Sequence, residues 1–143
     1  MKQLTISAFR DPPCQPLIQS LGIHVAMSPY FFPERLDCQY DPITGSLTIN
    51  FRYLDDEPAQ GYVETRDPRV RVRQGKHTGR LLAVQVPVER HGIEHVQVMT
   101  SEIAGAIERA ASDQADPRRG ANFRLAEQAL RENKNRIEDL VTA

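Results

Sequence analysis

His91-Gly92-Ile93-Glu94-His95 spells the pattern H-x-x-E-H. On a helix that spacing sets two imidazoles on one face, with a carboxylate beside them to act as general base on a metal-bound water. The chemistry therefore depends on a helix. Gly92, Ile93 and the run Val96-Gln97-Val98 favour a loop leading into a strand instead. On a strand, positions four apart share a face but stand too far apart to chelate one metal. A polar turn is the expectation here, with no metal site. Nucleophilic catalysis has no better footing. Cys14 lies among prolines without a neighbouring base, and Cys38 alternates with Leu36 and Tyr40 as a small packing residue does. No G-x-S-x-G, P-loop or G-x-G-x-x-G pattern occurs, so neither a catalytic residue nor a cofactor is expected.

The basic cluster carries more chemistry. Arg66, Arg69, Arg71, Arg73, Lys76 and Arg80 fall in a short span whose only acid is Asp67. Arg69, Arg71 and Arg73 alternate with Val70 and Val72, so a strand would array the three guanidiniums on one face. Guanidinium forks in a row suit phosphates or carboxylates. Arg69, Arg71, Arg73, Lys76 and Arg80 are accordingly the candidate anion- or nucleic-acid-binding residues. The plainer reading is a solvated strand, paired in part with Glu64 and the acidic loop Asp55-Asp56-Glu57.

A third pattern concerns assembly. Phe123, Ala126, Leu130, Asn133, Ile137 and Leu140 recur at alternating steps of three and four, the a/d stripe of a heptad. A lone Asn in such a seam fixes register between paired helices. Glu127 with Arg131 and Glu132 with Arg136 would support the exposed sides. The stripe is narrow, which favours a helix–helix contact, and these six residues are the expected homodimer interface. The alternative is an amphipathic helix lying on its own sheet.

The elements that must position these residues divide the chain into three parts. Residues 1–35 form an irregular N-terminal segment, with a short alternating run at Leu4, Ile6 and Ala8. It also holds an apolar run from Leu17 to Val25 and a proline-bracketed aromatic segment, Ser28 to Pro33, read either as a strap laid over the core or as an exposed docking surface. Residues 36–99 form a β-meander. Leu36, Cys38 and Tyr40 alternate, Asp41-Pro42-Ile43-Thr44-Gly45 has turn chemistry, and Leu47, Ile49, Phe51 and Tyr53 alternate again. Tyr62 to Arg66, Val70 to Arg73, Arg80 to Val86 and Ile93 to Val98 are further strands, with Pro87 ending one of them. Residues 100–143 are helical. Ile103, Ile107 and Ala110 mark one helix from Ser101, and Asp116-Pro117 starts a second that runs to about Leu140. The fold class is α+β: an antiparallel β-meander covered on one face, then two C-terminal helices.

The stretch from Leu36 to Val86 resembles a small bacterial family of unknown function, recognised by a Y-D-x-x-x-D-x-L-Y-I hairpin, a later strand, a turn and a final apolar strand. Tyr40-Asp41-Pro42-Ile43-Thr44-Gly45-Ser46-Leu47-Thr48-Ile49 matches the hairpin, with Gly45 in place of Asp and Thr48 in place of Tyr. Asp67 to Val72 and Gly79 to Val84 match the later parts. The resemblance implies a meander of three or four strands and carries over no active site.

The chain has 143 residues, 40% hydrophobic and 26% charged, the size and make-up of a single domain over residues 1–143. Its formal net charge of −1 gives no global pull toward nucleic acid or a membrane. The opening residues lack a long apolar run and meet proline early, so neither a signal peptide nor a membrane partner is expected, and the location is expected to be cytoplasmic with reduced thiols. The leading functional expectation is a non-catalytic interaction protein: a small homodimer that binds a protein or polyanion partner. One alternative is a DNA-binding regulator of ribbon-helix-helix type, with a strand at His95–Thr100 entering the major groove ahead of the two helices. A second is a small enzyme with an unfamiliar site.

Overall fold

The computed structural model describes residues 1–10, 28–88 and 93–142. Its strands are β1 (Lys2–Ser7), β2 (Arg35–Asp41), β3 (Ser46–Arg52), β4 (Val63–Glu64), β5 (Arg71–Gln74) and β6 (Leu81–Pro87). They form one six-stranded sheet in the order β1-β2-β3-β6-β5-β4, antiparallel at every pairing. Helices α1 (Ile93–Asp113), α2 (Pro117–Glu132) and α3 (Lys134–Thr142) follow. The fold is α+β.

The β2–β3 hairpin forms as its alternation predicts. Leu36 faces Phe51, Cys38 faces Ile49 and Tyr40 faces Leu47. The turn is closed by the Asp41 side chain, which accepts from the Ile43 N–H at 2.9 Å, and by the Gly45 N–H donating to Asp41 O at 2.7 Å. Gly45 has φ +69°, and a Cβ there would stand 3.0 Å from the Val88 carbonyl, so glycine is needed both for the backbone and for the approach. The rows continue across the sheet. Ile49 faces Val84 and Val84 faces Val72, which sets Cys38, Ile49, Val84 and Val72 side by side, each buried. The helices cover this face. α2 packs on β6 and beside α1, and α3 lies over β1 and β2. Each Leu, Ile, Val or Phe so buried contributes roughly 1.5–3 kcal/mol.

Strand order departs from a simple meander. After β3 the chain crosses to the far edge, forms β4, and returns through β5 to lay β6 against β3. Composition explains the choice. β6 is nearly continuous apolar chain, with Leu81, Ala83, Val84 and Val86 all buried, and belongs in the middle of a sheet. β4 is two exposed residues and suits an edge. The N-terminal segment is also less irregular than its sequence indicates: β1 pairs with β2 from Lys2↔Tyr40 to Ser7↔Arg35. Ser28 to Pro33 is the expected strap, with a 3-10 turn at Pro29–Phe31 and Pro33 buried. Cys14 and the run Leu17 to Val25 lie outside the described residues.

The helical part corrects three expectations. First, α1 begins at Ile93, so Ile93 to Thr100 is helix and not strand. β-Branched residues gave this stretch a strand-like pattern, but Met99, Thr100, Ile103, Ala104 and Ile107 make a buried helical stripe, and tertiary packing overrides weak propensity. The ribbon-helix-helix alternative loses its DNA-reading strand. Second, the last helix divides at Asn133 into α2 and α3. The Asn133 amide donates to Ala8 O at 2.9 Å and to Ala129 O at 2.8 Å, while the Asn133 backbone leaves helical geometry at φ −113°, ψ 12°. Third, the heptad stripe is used inside the chain. Phe123, Ala126, Leu130 and Ile137 are 0–1% exposed, Leu140 packs on the same core, and Asn133 is bound to the end of β1. The proposed dimer interface of Phe123, Ala126, Leu130, Asn133, Ile137 and Leu140 is therefore the chain's own core. The spacing reported a real apolar face, and the sheet, not a mate, covers it.

Candidate anion-binding site

The sheet's other face carries polar side chains, and none of the three described helices lies on it. Register sets them in rows: Thr48, Gln85 and Arg71 in one, Asp37, Asn50, Ala83 and Arg73 in the next. Arg71 and Arg73 alternate outward on β5 as expected. Tyr62, just before β4, lies between them. The Arg73 guanidinium carbon is 4.7 Å from the Tyr62 ring centre and that of Arg71 is 5.9 Å away. Such stacking on a ring face is favourable and holds a guanidinium in place.

Beside Arg73 the face dips. Ala83 is small and stands between Asn50 and Arg73, so two long polar residues about 10 Å apart across the strands flank a short one. The β5–β6 register shifts between Arg73 and Gln74, so the ladder is irregular beside the dip. The loop from Asp55 to Ala59 forms the opposite wall. The result is a recess of about 120 Å³ lined by Asn50, Arg52, Asp56, Arg73, Leu82 and Ala83, among others. Arg73 Nε is shut off from solvent and has no protein acceptor. Arg52 is partly engaged, donating through Nε to Asp37 at 2.8 Å, and Arg35 donates to the same carboxylate at 3.1 Å. Burial pushes Asp37 up, but hydrogen bonds from Arg52, Thr5 and Arg35 outweigh it and hold the carboxyl below its ordinary value.

The remaining candidates of the basic cluster are elsewhere. Arg69 precedes β5, in a turn where its N–H donates to Asp67 at 3.0 Å, and its guanidinium reaches Glu102 on α1 at 3.7 Å. It points toward the helices and does not join Arg71 and Arg73. Lys76 is exposed in the β5–β6 loop, away from the recess. Arg80 is completely buried. It donates to Glu57 at 2.8 Å, to Asp55 at 2.7 Å and to Tyr30 O at 2.7 Å, and it sits 4.5 Å over the Tyr53 ring. Its fork is filled by the protein, so Arg80 is an anchor for the acidic loop and the strap, not a ligand site. Glu57 answers it: burial pushes this carboxyl up, yet the Thr78 hydroxyl and N–H, the His77 N–H and Arg80 hold it at about 2. The acidic loop thus has two committed carboxylates, Asp55 and Glu57, while Asp56 has no described partner.

Of the five expected residues, the structure brings together Arg71 and Arg73. Sequence reasoning missed Tyr62, Asn50 and Arg52. Asn50 and Arg52 stand at the polar positions of an alternating strand, which placed them on a polar face, but only β6 lying between β3 and β5 brings that face to Arg73.

The H-x-x-E-H pattern also needs restating. Glu94 and His95 lie on α1, so the strand argument against a shared helical face does not hold for them; His91 lies outside the described residues. No group of three or more potential metal-ligating side chains is clustered among the described residues. Among those residues, too, no helix is long and apolar enough to cross a membrane. Comparison with models of protein families, with curated proteins and with solved structures finds no match to this chain.

Proposed function

We propose that the protein is a non-catalytic binding protein that takes an anionic ligand on the helix-free face of its sheet. The observation that carries this reading is Arg73: a guanidinium stacked on Tyr62, with Nε lacking an acceptor, beside a polar recess and next to the exposed Arg71. A buried donor without an acceptor costs roughly 1–3 kcal/mol. An oxyanion that draws the fork toward the recess offsets that cost through charge-assisted hydrogen bonds. The non-catalytic part of the reading is supported by Cys38, whose thiol is buried and pushed up to about 12, first by burial and then by the nearby Asp37 charge, so it offers no thiolate.

The test is an amide-resolved NMR titration with inorganic pyrophosphate and, separately, with heparin, each at low and at physiological salt. At least one anion should shift the resonances of Tyr62, Arg71, Arg73 and Ala83, more weakly at the higher salt. The double variant Arg71→Ser/Arg73→Ser should lose that response. Silence of this face toward both anions, or an unchanged response in the double variant, would sink the reading.

A further inference from the structure

The two edges of the sheet are unlike. β4 is guarded: it is two residues long, carries Glu64, and leads directly to Arg66, Asp67 and Pro68. β1 is six residues long, and from Gln3 to Ser7 it holds no charge and no proline, and its pairing with β2 has no bulge. Among the described residues, none pairs with its outer side. Shortness, charge, proline and bulges are what keep an edge strand from pairing with another chain, and β1 lacks all four.

Ladder parity tells which groups that side offers. The Ala8 N–H donates to Glu34 O at 2.9 Å, in line with the register that sets Ser7 opposite Arg35. In an antiparallel pair, alternate residues bond to the same neighbour. Lys2, Leu4 and Ile6 therefore bond to β2, and the N–H and C=O groups of Gln3, Thr5 and Ser7 point away from it. The strand also matches itself. Turned about a two-fold axis at Thr5, Thr5 meets its own copy, Gln3 meets Ser7 and Leu4 meets Ile6. Polar then faces polar, apolar faces apolar, and no two charges meet. Leu4, only half-buried where its neighbours Ile6 and Cys38 are buried, gains the cover it lacks. Ser7 O already accepts from the Asn133 amide at 3.4 Å and keeps a second lone pair for the mate.

We infer that β1 pairs antiparallel with β1 of a second copy about a two-fold axis at Thr5, joining two six-stranded sheets into one across a homodimer. One strand pair buries little area, so the dimer is weak and reversible. Arg71 and Arg73 lie on β5, away from this seam, and the anion reading does not depend on it.

The experiment is sedimentation equilibrium over a range of protein concentration, with amide exchange read on the same samples. Mass should rise toward the dimer by about 1 mM, the weak end of specific association. Exchange at Gln3 and Thr5 should slow at least tenfold over the same range. Thr5→Pro removes only an outward N–H and should give a monomer with unchanged circular dichroism. Thr5→Lys should do the same, because it sets two like charges at the axis while Asp37, opposite Thr5 on β2, accommodates the ammonium in the monomer. A monomer at every concentration overturns the inference. So does a dimer that persists in Thr5→Lys, or slow exchange at Gln3 and Thr5 at the lowest concentration, since the edge would then be covered within its own chain.

Discussion

At the scale of single residues, Arg80 and Glu57 make the sharpest stability predictions. Glu57 has a folded pKa of about 2 against an ordinary value of 4.5. A depressed carboxyl stabilises the folded state above its unfolded pKa, and that contribution is lost as pH falls from 4.5 through about 2. Urea midpoints measured from pH 5 downward should therefore fall across this window, and Arg80→Met should lower the midpoint at pH 7 and flatten the acid limb. Removing one member of a buried pair costs roughly 3–5 kcal/mol, because Glu57 would keep its charge without its partner. The sequence counted Arg80 as one of a cluster of free cations. Its acceptors stand 23 and 25 positions back in the chain, at Glu57 and Asp55, and no local pattern links residues so far apart. Arg71 and Arg73 were legible because their alternation with Val72 is local, and the face of a strand follows from parity alone.

At the scale of elements, the joint between α2 and α3 separates two meanings of one heptad stripe. In a paired coil, replacing a seam Asn with Leu stabilises the coil at the cost of register. In this fold Asn133 donates to Ala8 O and caps the turn, so Asn133→Leu should lower stability by roughly 1–3 kcal/mol and speed amide exchange at the end of β1. Leu130→Asp should abolish the far-ultraviolet helix signal and not merely change the mass in light scattering, since Leu130 is 1% exposed within its own chain. Asp116-Pro117 announced the start of α2, and Asp116 does accept from the Arg118 N–H at 2.9 Å. The break at Asn133 carried no such signal, because the Asn133 side chain is bound there to the Ala8 carbonyl, just past β1 and far off in the chain. The first turns of α1 were hidden because Ile93, Val96 and Val98 are β-branched residues set among polar ones, a local pattern that reads as strand.

At the scale of the molecule, what joins the layers is polar. Asn122 on α2 accepts from the Leu81 N–H at 2.8 Å and donates to Phe31 O at 2.9 Å and to the Tyr53 hydroxyl at 3.0 Å, while Tyr53 donates to Leu81 O at 2.7 Å. Helix, central strand and strap are thereby fixed to one another at a single point. The α+β class and the one-sided core were readable from periodicity, since burial of one sheet face leaves an alternating record. The order of strands was not, because nothing in the alternation of β3 says whether its second neighbour is the next strand or the last.

That order has a kinetic consequence. The β2–β3 hairpin and the β4-β5-β6 group each close through short turns, whereas pairing β6 with β3 requires a long loop to be closed before any contact rewards it. The entropy of that closure falls on the ascent to the transition state, so the two local units should preform and their meeting along Ile49↔Val84 should set the folding rate. Val84→Ala should slow refolding in stopped-flow mixing, while Ile137→Val on α3 should chiefly hasten unfolding. Until that seam closes, β3 and β6 are both bare edges, open to pairing with other copies of the chain, so the yield of refolding should fall as protein concentration rises.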